Sequence, residues 1–444
     1  MDMAFASKMV DLALSRGADE AEVYARRSRN LGIEIKDQKL DALESSVTAG
    51  YGIRVIKDKQ PGFSYSTNPD DMSRVVNIAL SVARYAERDE NLGLPLSLIP
   101  GKVSVFDERI AALTESDAAD CVMLLEKSAL DTDRRINKIR KAAGSFGTSD
   151  TCIVNSKGIR AFYSSSGCSA HITVIAEQGP ESQTGWDYEG SRFFNEVNFK
   201  RVGVNAAKKA LQLLGAKKIR PMKGFILLDS SVASEFLGIF ASALSSESVQ
   251  KGKSMLAGKK GEQVLSPLLN ITDNGLLDGK PGSKPFDGEG VPARSKVLVE
   301  KGVLKGFLYN TYTARREGIE STGNASRGGP SGLPGVGPTN LYIEPFLPGD
   351  SREFGKLLGA IDKGLYVTEA MGMHTVNPVS GEYSIGISGL LIEKGETVHP
   401  VKEAIISGNM LDLFRQVIMV GDDLRFYGNI GVASLLIEAI DISG

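Results

Sequence analysis

An α+β fold, with antiparallel sheets, packed helices and a β-rich C-terminal domain, is predicted from three features of the 444-residue sequence. Alternating apolar and polar residues, as in Ile33–Lys36, indicate strands with one solvated face. Amphipathic segments that end at glycine, such as Phe5–Arg16 before Gly17, indicate helices. Short turns with glycine where a positive φ angle is needed indicate hairpins, and they multiply after Phe225.

Two or three domains are expected from the length, because one domain usually holds ~100–200 residues, and the boundaries along the chain predict three. The first, residues 1–95, is predicted to be a helix, a meander of strands and a second helix. A linker over Leu92–Lys102, with two prolines and two glycines, separates it from a middle α+β unit at 103–217. The third, residues 222–444, is predicted to be mostly β, with a helix over Val232–Leu244.

Several local signals are specific enough to test. Thr114 and Asp117 have capping-box spacing and predict that a helix begins there. Glu300–Gly302 and Glu393–Gly395 lie between apolar runs and predict two hairpins. The second helix of the first domain should begin at Asp70/Asp71 and run to about Arg88. Its predicted apolar face consists of Val75, Ile78, Val82 and Tyr85.

The composition excludes several classes of function. Lys plus Arg number 52 against 54 for Asp plus Glu, so 52 − 54 gives a net charge of −2, and we expect no nucleic-acid partner. The apolar stretches are shorter than the ~20 residues that cross a bilayer, so no membrane partner is expected. Asp2, Lys8 and Asp11 do not fit a signal peptide, and the three cysteines form no CxxC motif. A reducing cytoplasm is therefore expected.

Histidine is scarce, which limits the metal chemistry open to the chain. The sequence has three histidines, His171, His374 and His399, and no two of them have the helical spacing of a zincin site. We therefore predict no metal ligand and no catalytic residue in this chain. The segment around His374, with Asn377 and Glu382, fits either the lining of a groove or a polar turn between two strands.

The glycine-rich run Arg327–Gly337 does not indicate a nucleotide site. It lacks the GxxxxGK[ST] spacing, contains two prolines and does not join a strand to a helix. A flexible loop, which could act as a lid over a groove, is the better interpretation.

Three blocks of the sequence together resemble one known family. They are Gln250–Asn310, Thr322–Ala325 and Gly389–Gly408, and they occur in the order and spacing of the TldD/PmbA family, long described as modulators of DNA gyrase. The resemblance covers the whole chain in order, from a helix-and-meander N-terminal region to a glycine-rich C-terminal domain. It implies a TldD/PmbA-like fold.

The resemblance also implies a pair of related subunits that assemble into a zinc metallopeptidase. The TldD-type subunit carries HExxxH on a helix upstream of the stretch that matches Gln250–Ser254, and a later cysteine completes its zinc site. The corresponding window here, Leu237–Ser242, contains no metal ligand, and Asn429–Gly444 contains no cysteine. The chain therefore resembles the PmbA type, also called TldE, and the window should be a buried helix without metal chemistry.

By this resemblance, the chain is expected to be a non-catalytic subunit that binds a TldD-type partner, in which zinc is expected, and helps to cleave unfolded or extended peptides. It would form part of the peptide channel, where a peptide can add a strand to a sheet edge. Each candidate lining residue could equally stabilise a turn, and for Asp287, within Phe286–Gly290, the turn is the favoured interpretation. The candidate groove-lining residues are Asp287, Glu289, Asn324, His374 and Asn377.

Two alternatives stay open at this point. The chain could be a hydrolase with a site of its own, around His374 and Glu382, or a regulatory protein that binds DNA gyrase or another protein. A homodimer is a further expectation for the isolated chain, because paralogous subunits often reuse one interface.

Overall fold

The structure, a computed structural model, describes residues 2–96, 99–344 and 353–444. Helices pack on largely antiparallel sheets, so the α+β prediction is confirmed. Ser97 and Leu98 of the predicted linker lie outside the described residues, as do Met1 and residues 345–352 of the predicted third domain. Across the described ranges, no helix is both long enough and apolar enough to cross a membrane.

The first half of the chain forms one six-stranded sheet with helices on a single face. The sheet is antiparallel throughout, in the order β3-β2-β1-β4-β5-β6. Two short 3-10 helices, Pro69–Asp71 and Phe194–Glu196, precede α2 and α5. The elements are α1 (Met3–Ser15), β1 (Glu20–Lys36), β2 (Lys39–Lys57), β3 (Gln60–Ser66), α2 (Met72–Ala83), α3 (Glu108–Ala112), α4 (Glu115–Leu130), β4 (Ile136–Asn155), β5 (Arg160–Gln178), β6 (Glu181–Ser191) and α5 (Phe199–Gln212).

This sheet joins the regions predicted as the first and middle domains, because β1 of one pairs with β4 of the other. Each region nevertheless buries its own core beneath its own helices. α1 and α2 cover one end of the sheet, around Val23 and Ile53, whereas α4 and α5 cover the other end, around Ile33 and Ile172. Since side chains alternate along a strand, the residues between these apolar ones lie on the opposite face.

Helix α2 differs from its prediction in length and in its buried face. It ends at Ala83, and Ile78, Val82 and Tyr85 are exposed. The reason is a close approach to β3: a Cβ atom at Gly62 would lie 2.0 Å from the carbonyl oxygen of Ala79. Only a face rich in small residues can approach a strand this closely. The helix buries Val75, Val76, Ala79, Leu80 and Ala83.

The second half of the chain builds two further sheets around helix α6. One sheet has the order β16-β15-β14-β7-β20-β17, with an additional β16–β20 pairing, and the other has the order β10-β9-β8-β13-β19-β18. Helix α6 lies between these two sheets. It contacts β7 and β14 of the sheet that contains β16, and β18 and β19 of the sheet that contains β10. Two pairings, β7–β14 and β13–β19, are parallel.

These elements begin after the middle region and run to the end of the chain. A short 3-10 helix, Met373–Thr375, lies between β14 and β15, and within the described ranges β11 pairs only with β12. The elements are β7 (Met222–Leu228), α6 (Ser230–Ala243), α7 (Ser246–Gln250), β8 (Ile271–Asn274), β9 (Ser295–Glu300), β10 (Val303–Leu304), α8 (Thr311–Arg316), β11 (Ala325–Ser326), β12 (Gly335–Val336), β13 (Leu341–Ile343), α9 (Phe354–Gly359), β14 (Lys363–Met371), β15 (Glu382–Glu393), β16 (Glu396–Asn409), α10 (Met410–Arg415), β17 (Val417–Val420), β18 (Arg425–Tyr427), β19 (Ile430–Val432) and β20 (Leu435–Ser443).

The C-terminal half docks on the helix-free face of the first sheet. Glu22 on β1 forms ion pairs with Arg54 on β2, at 3.0 Å, and with Arg327 of the glycine-rich loop. Arg54 also pairs with Glu289 at 2.9 Å. Phe286 packs beside these charges in a small apolar cluster with β1, β4 and β5. The contact covers one end of the sheet face and leaves the middle of that face open.

Candidate functional site

Helix α6 contains the Leu237–Ser242 window, so the prediction that this window is helical is confirmed. Leu237, Phe240 and Ala241 are buried in the core between the two C-terminal sheets. The prediction that the window is buried is wrong at Ser242, which is exposed and whose hydroxyl donates to the carbonyl oxygen of Ile239.

The window does not fit a zinc ion, which takes imidazole, thiolate or carboxylate ligands. None of its six residues carries such a group. Elsewhere in residues 2–96, 99–344 and 353–444, no group of three or more His, Cys, Asp or Glu side chains is placed to hold a metal.

The start of α6 is tied to the first half of the chain by a buried aspartate. Asp229 caps the helix by accepting a hydrogen bond from the amide of Ser231, at 3.0 Å, and it also accepts one from the hydroxyl of Tyr366, at 2.8 Å. Lys209 of α5 lies 3.3 Å from the same carboxylate. Burial opposes the charge, but Lys209 and the hydrogen bonds lower the pKa of Asp229, so the pair is ionic and fixes α6 against α5.

Three of the five candidate groove residues lie inside the protein. Asp287 accepts hydrogen bonds from the amides of Glu289 and Val291, at 2.8 and 3.0 Å, which is an Asx turn. Glu289 accepts from Arg54 and from the amide of Thr311. All three candidates, Asp287, Glu289 and Asn324, are at most 2% exposed.

Asn324 belongs to a neighbouring buried network. Its amide donates to Asp273 at 2.8 Å, and its oxygen accepts from Lys296 at 2.8 Å. The contacts of Asp287, Glu289 and Asn324 are thus with other groups of this chain, and they hold the loops around β8, β9 and β11 together.

The other two candidates are exposed and lie apart from these three. His374 is in the 3-10 helix after β14, and Asn377 is in the turn that leads into β15. The oxygen of Asn377 accepts from the amides of Val379 and Ser380, which is again a turn. The five predicted residues therefore do not converge on one site.

An open concavity on the helix-free face of the first sheet was not predicted. Its central cavity has a volume of about 250 Å³. It continues into a second of about 250 Å³ beside Thr48–Gly50 and residues 328–331, and into a third of about 330 Å³ beside Glu44 and His171. We call the three together the sheet-face groove. Its central part is lined by Arg26, Ser28, Ser149, Ser165, Tyr188 and Arg192, among others.

Small side chains in neighbouring strands create this groove. Thr48, Ser28, Ser149 and Ser165 are register partners across β2, β1, β4 and β5, so they form one row on the open face. A row without large side chains leaves space above the sheet and presents hydroxyl groups to it. The signal in the sequence is the alternation of small residues along two strands: Ser145, Gly147, Ser149, and Ser165, Gly167, Ser169.

The groove borders a free strand edge. β2 pairs with β1 along its length, but β3 covers only its Tyr51–Lys57 part. Among the described residues, no strand pairs with the outer edge of Lys39–Gly50. The glycine-rich loop, interpreted from sequence as a lid, lies beside this edge, where a Cβ at Gly50 would be 3.5 Å from Pro330. An extended chain placed here would continue the line of β3.

Comparison with known proteins identifies the family that shares this architecture. Models of the PmbA/TldA metallopeptidase match the chain as domain 1 over 21–83, the central domain over 108–214 and the C-terminal domain over 221–444. The "Metalloprotease PmbA homolog" of Haemophilus influenzae is 30% identical over 444 residues, covering 98% of this chain and 94% of that protein. The "Metalloprotease TldD homolog" of the same organism is 26% identical, covering 95% and 89%.

A crystal structure agrees with these matches along the whole chain. A protein from Thermotoga maritima, described as a modulator of a DNA gyrase, superimposes with a TM-score of 0.92 at 29% identity, and the match covers 99% of both chains. The TldD/PmbA-like fold implied by the sequence blocks is therefore confirmed. The chain belongs to the PmbA/TldD metallopeptidase family.

Proposed function

We propose that this chain is a PmbA/TldE-type, non-catalytic subunit that works with a TldD-type metallopeptidase partner on unfolded or extended peptides. The partner binds zinc and cleaves the peptide, whereas this chain forms part of the channel that holds it. The assembly works in the cytoplasm. Without the partner, two copies of this chain associate through the same surface as a homodimer.

The residues of α6 at Leu237–Ser242 carry this proposal. A catalytic zinc site needs three protein ligands and an open position. Leu237, Phe240 and Ala241 instead pack into the core, so the helix contributes stability where a TldD-type subunit would bind metal. The higher identity to the PmbA homologue than to the TldD homologue of one organism supports the same assignment.

The sheet-face groove and the free edge of β2 support an extended peptide as the substrate. Strand addition uses main-chain hydrogen bonds, so it accepts many sequences but only chains that are unfolded. The groove beside this edge is lined by hydroxyl groups and glycines, which accommodate varied side chains. Both features lie on the face toward which the C-terminal half docks, and an assembly could enclose them there.

The test is reconstitution. The purified chain is assayed for zinc content and for cleavage of an unfolded protein, alone and after mixing with a TldD-type protein from the same organism. We expect no stoichiometric zinc and no cleavage by the chain alone, and cleavage by the mixture that stops on chelation. Replacing the first histidine of HExxxH in the partner should abolish activity without preventing assembly.

A pair of variants in this chain tests the role of the groove. Ser28→Tyr fills the groove, whereas Arg27→Tyr adds the same side chain to the other face of the same strand. We expect Ser28→Tyr, and not Arg27→Tyr, to lower kcat/KM several-fold with subunit affinity unchanged. Chelator-resistant cleavage by the chain alone would overturn the proposal and favour a hydrolase with its own site.

A further inference from the structure

Two arginines on the floor of the sheet-face groove have no acidic partner among the described residues. Arg26 and Arg192 both line the central cavity. Arg26 makes one long hydrogen bond, 3.5 Å to the hydroxyl of Ser149. Arg192 donates to the carbonyl oxygens of Ser166, Pro281 and Ser283, at 3.0, 2.5 and 3.4 Å. In the part of the chain that the structure describes, neither arginine forms an ion pair.

Three other partly buried arginines of this protein do meet carboxylates. Arg54 and Arg327 share Glu22, and Arg425 lies 2.8 Å from Asp187. This contrast matters because a charge held partly away from water is unfavourable unless an opposite charge lies beside it. Two unneutralised guanidinium groups facing one cavity are therefore suited to an anion supplied from outside.

Unused hydrogen-bond donors of these two arginines support the same conclusion. The Nε–H groups of Arg26 and Arg192 are buried and have no acceptor among the described residues. Most buried donors in folded proteins are paired, so two unpaired Nε–H groups on arginines that line one cavity call for an explanation. The hydroxyls of Ser28, Ser149 and Tyr188 line the same cavity and can donate to an anion as well.

A carboxylate fits these donors and the surroundings. Guanidinium groups bind carboxylates through two parallel hydrogen bonds, which gives both strength and orientation. The adjoining free edge of β2 fits the main chain of an extended peptide. Such a peptide has two sources of carboxylate, its C-terminus and its Asp or Glu side chains.

We propose that Arg26 and Arg192 form a carboxylate-binding subsite in the sheet-face groove, which takes the C-terminus or an acidic side chain of an extended peptide. The subsite deepens the proposed function, on which its choice of a peptide ligand rests. It makes this chain, and not only its zinc-bearing partner, a determinant of which peptides are held.

The test measures binding to the full chain without any partner, by fluorescence anisotropy. Three dye-labelled peptides of Gly, Ser and Ala are compared: one with a free C-terminus, one amidated, and one amidated with a single internal Glu. We expect at least about tenfold tighter binding of a carboxylate-bearing peptide than of the neutral amide. Preference for the first peptide identifies the C-terminus as the ligand, and preference for the third identifies the side chain.

Variants then assign the preference to the groove. The Arg26→Gln variant should bind all three peptides with the affinity that the unmodified chain has for the neutral amidated peptide. Arg27→Gln makes the same charge change on the other face of the sheet and should retain the preference for a carboxylate. Arg192→Gln should also lose the preference for a carboxylate. Because Arg192 holds residues 281–283, thermal unfolding is used to check that this variant is folded. Arg26→Lys keeps the charge without the planar fork and should lose part of the preference.

Equal binding of the three peptides to the unmodified chain, or no binding at all, would overturn the subsite. So would an unchanged preference in Arg26→Gln. These failures are distinct from failure of the proposed function. A chain that reconstitutes peptidase activity but lacks the carboxylate preference loses only the subsite, and a chain with the preference that fails to reconstitute loses only the subunit role.

Discussion

Glu235 lies on α6, just before the Leu237–Ser242 window, and its carboxyl group is partly shielded from water. Burial, with a further contribution from the charge of Glu369, raises the pKa of Glu235 to about 7 from 4.5. The folded state therefore holds this proton more tightly than the unfolded chain does. The contribution of this group to stability is greatest below pH 4.5, declines as the pH rises toward about 7, and stays unfavourable above that.

Replacing Glu235 by glutamine should remove this pH-dependent penalty. We expect Glu235→Gln to raise the free energy of unfolding at pH 8 by ~1 kcal/mol, after allowing for solvent screening at this partly exposed site. At pH 4 the variant should match the unmodified chain, because the carboxyl is protonated in both states. Thermal unfolding at both pH values measures this, with Glu320→Gln as an exposed control. An equal shift at both pH values would refute the mechanism.

At the candidate site, contacts between residues near in sequence could be predicted, whereas contacts between distant residues could not. The turn role of Asp287 was foreseeable, because the Asx turn involves only Glu289 and Val291 nearby in sequence. The partner of Glu289 is Arg54, 235 positions away, and no local pattern encodes that pairing. Arg26 and Arg192 were missed for the same reason, because only the register of four strands places them at one cavity.

At the scale of elements, signals that depend on neighbouring residues were reliable. The capping box of Thr114 and Asp117 forms at the start of α4, and both predicted hairpins form with two-residue turns. The turn residues Lys301 and Gly302 have φ angles of 46° and 76°, as the primed turn types require. The prediction of the buried face of α2 was wrong, because an amphipathic pattern does not show that Gly62 lets β3 approach the helix closely.

Gly302 should be intolerant of any side chain. A Cβ atom there would lie 2.2 Å from the carbonyl oxygen of Leu265, in addition to the cost of a positive φ angle. We expect Gly302→Ala to lower the free energy of unfolding by ~2–3 kcal/mol, as measured by urea titration. Gly306→Ala is the matched control, because a Cβ there has nothing within 4 Å. Similar losses in both variants would contradict this explanation.

At the scale of the whole molecule, an ion network around Glu22 couples the first sheet to the C-terminal half, in addition to the pairs Lys209–Asp229 and Arg425–Asp187. Glu22 is 1% exposed and lies between Arg54 and Arg327, and Arg327 is 2% exposed and also stacks over Tyr24. Glu22 and Arg327 are 305 positions apart. Three domains can be inferred from composition and linkers, but the geometry that docks them depends on pairs such as this one.

Neutralising Glu22 should weaken that docking more than it weakens either half. Glu22→Gln keeps the shape of the side chain but leaves Arg327 buried without its counter-charge, so we expect a loss of ~3–5 kcal/mol. Calorimetry should show the heat absorption of the unmodified chain broadening or splitting as the two halves lose their coupling. Glu44 is exposed on the same sheet, so Glu44→Gln should change neither the free energy of unfolding nor the shape of the heat-absorption curve.

A double variant separates charge from packing. Because the cost comes from the orphaned charge and not from the missing carboxylate, the double variant Glu22→Gln/Arg327→Met should recover part of the loss. A double variant no more stable than Glu22→Gln would show that packing, and not charge, holds the halves together.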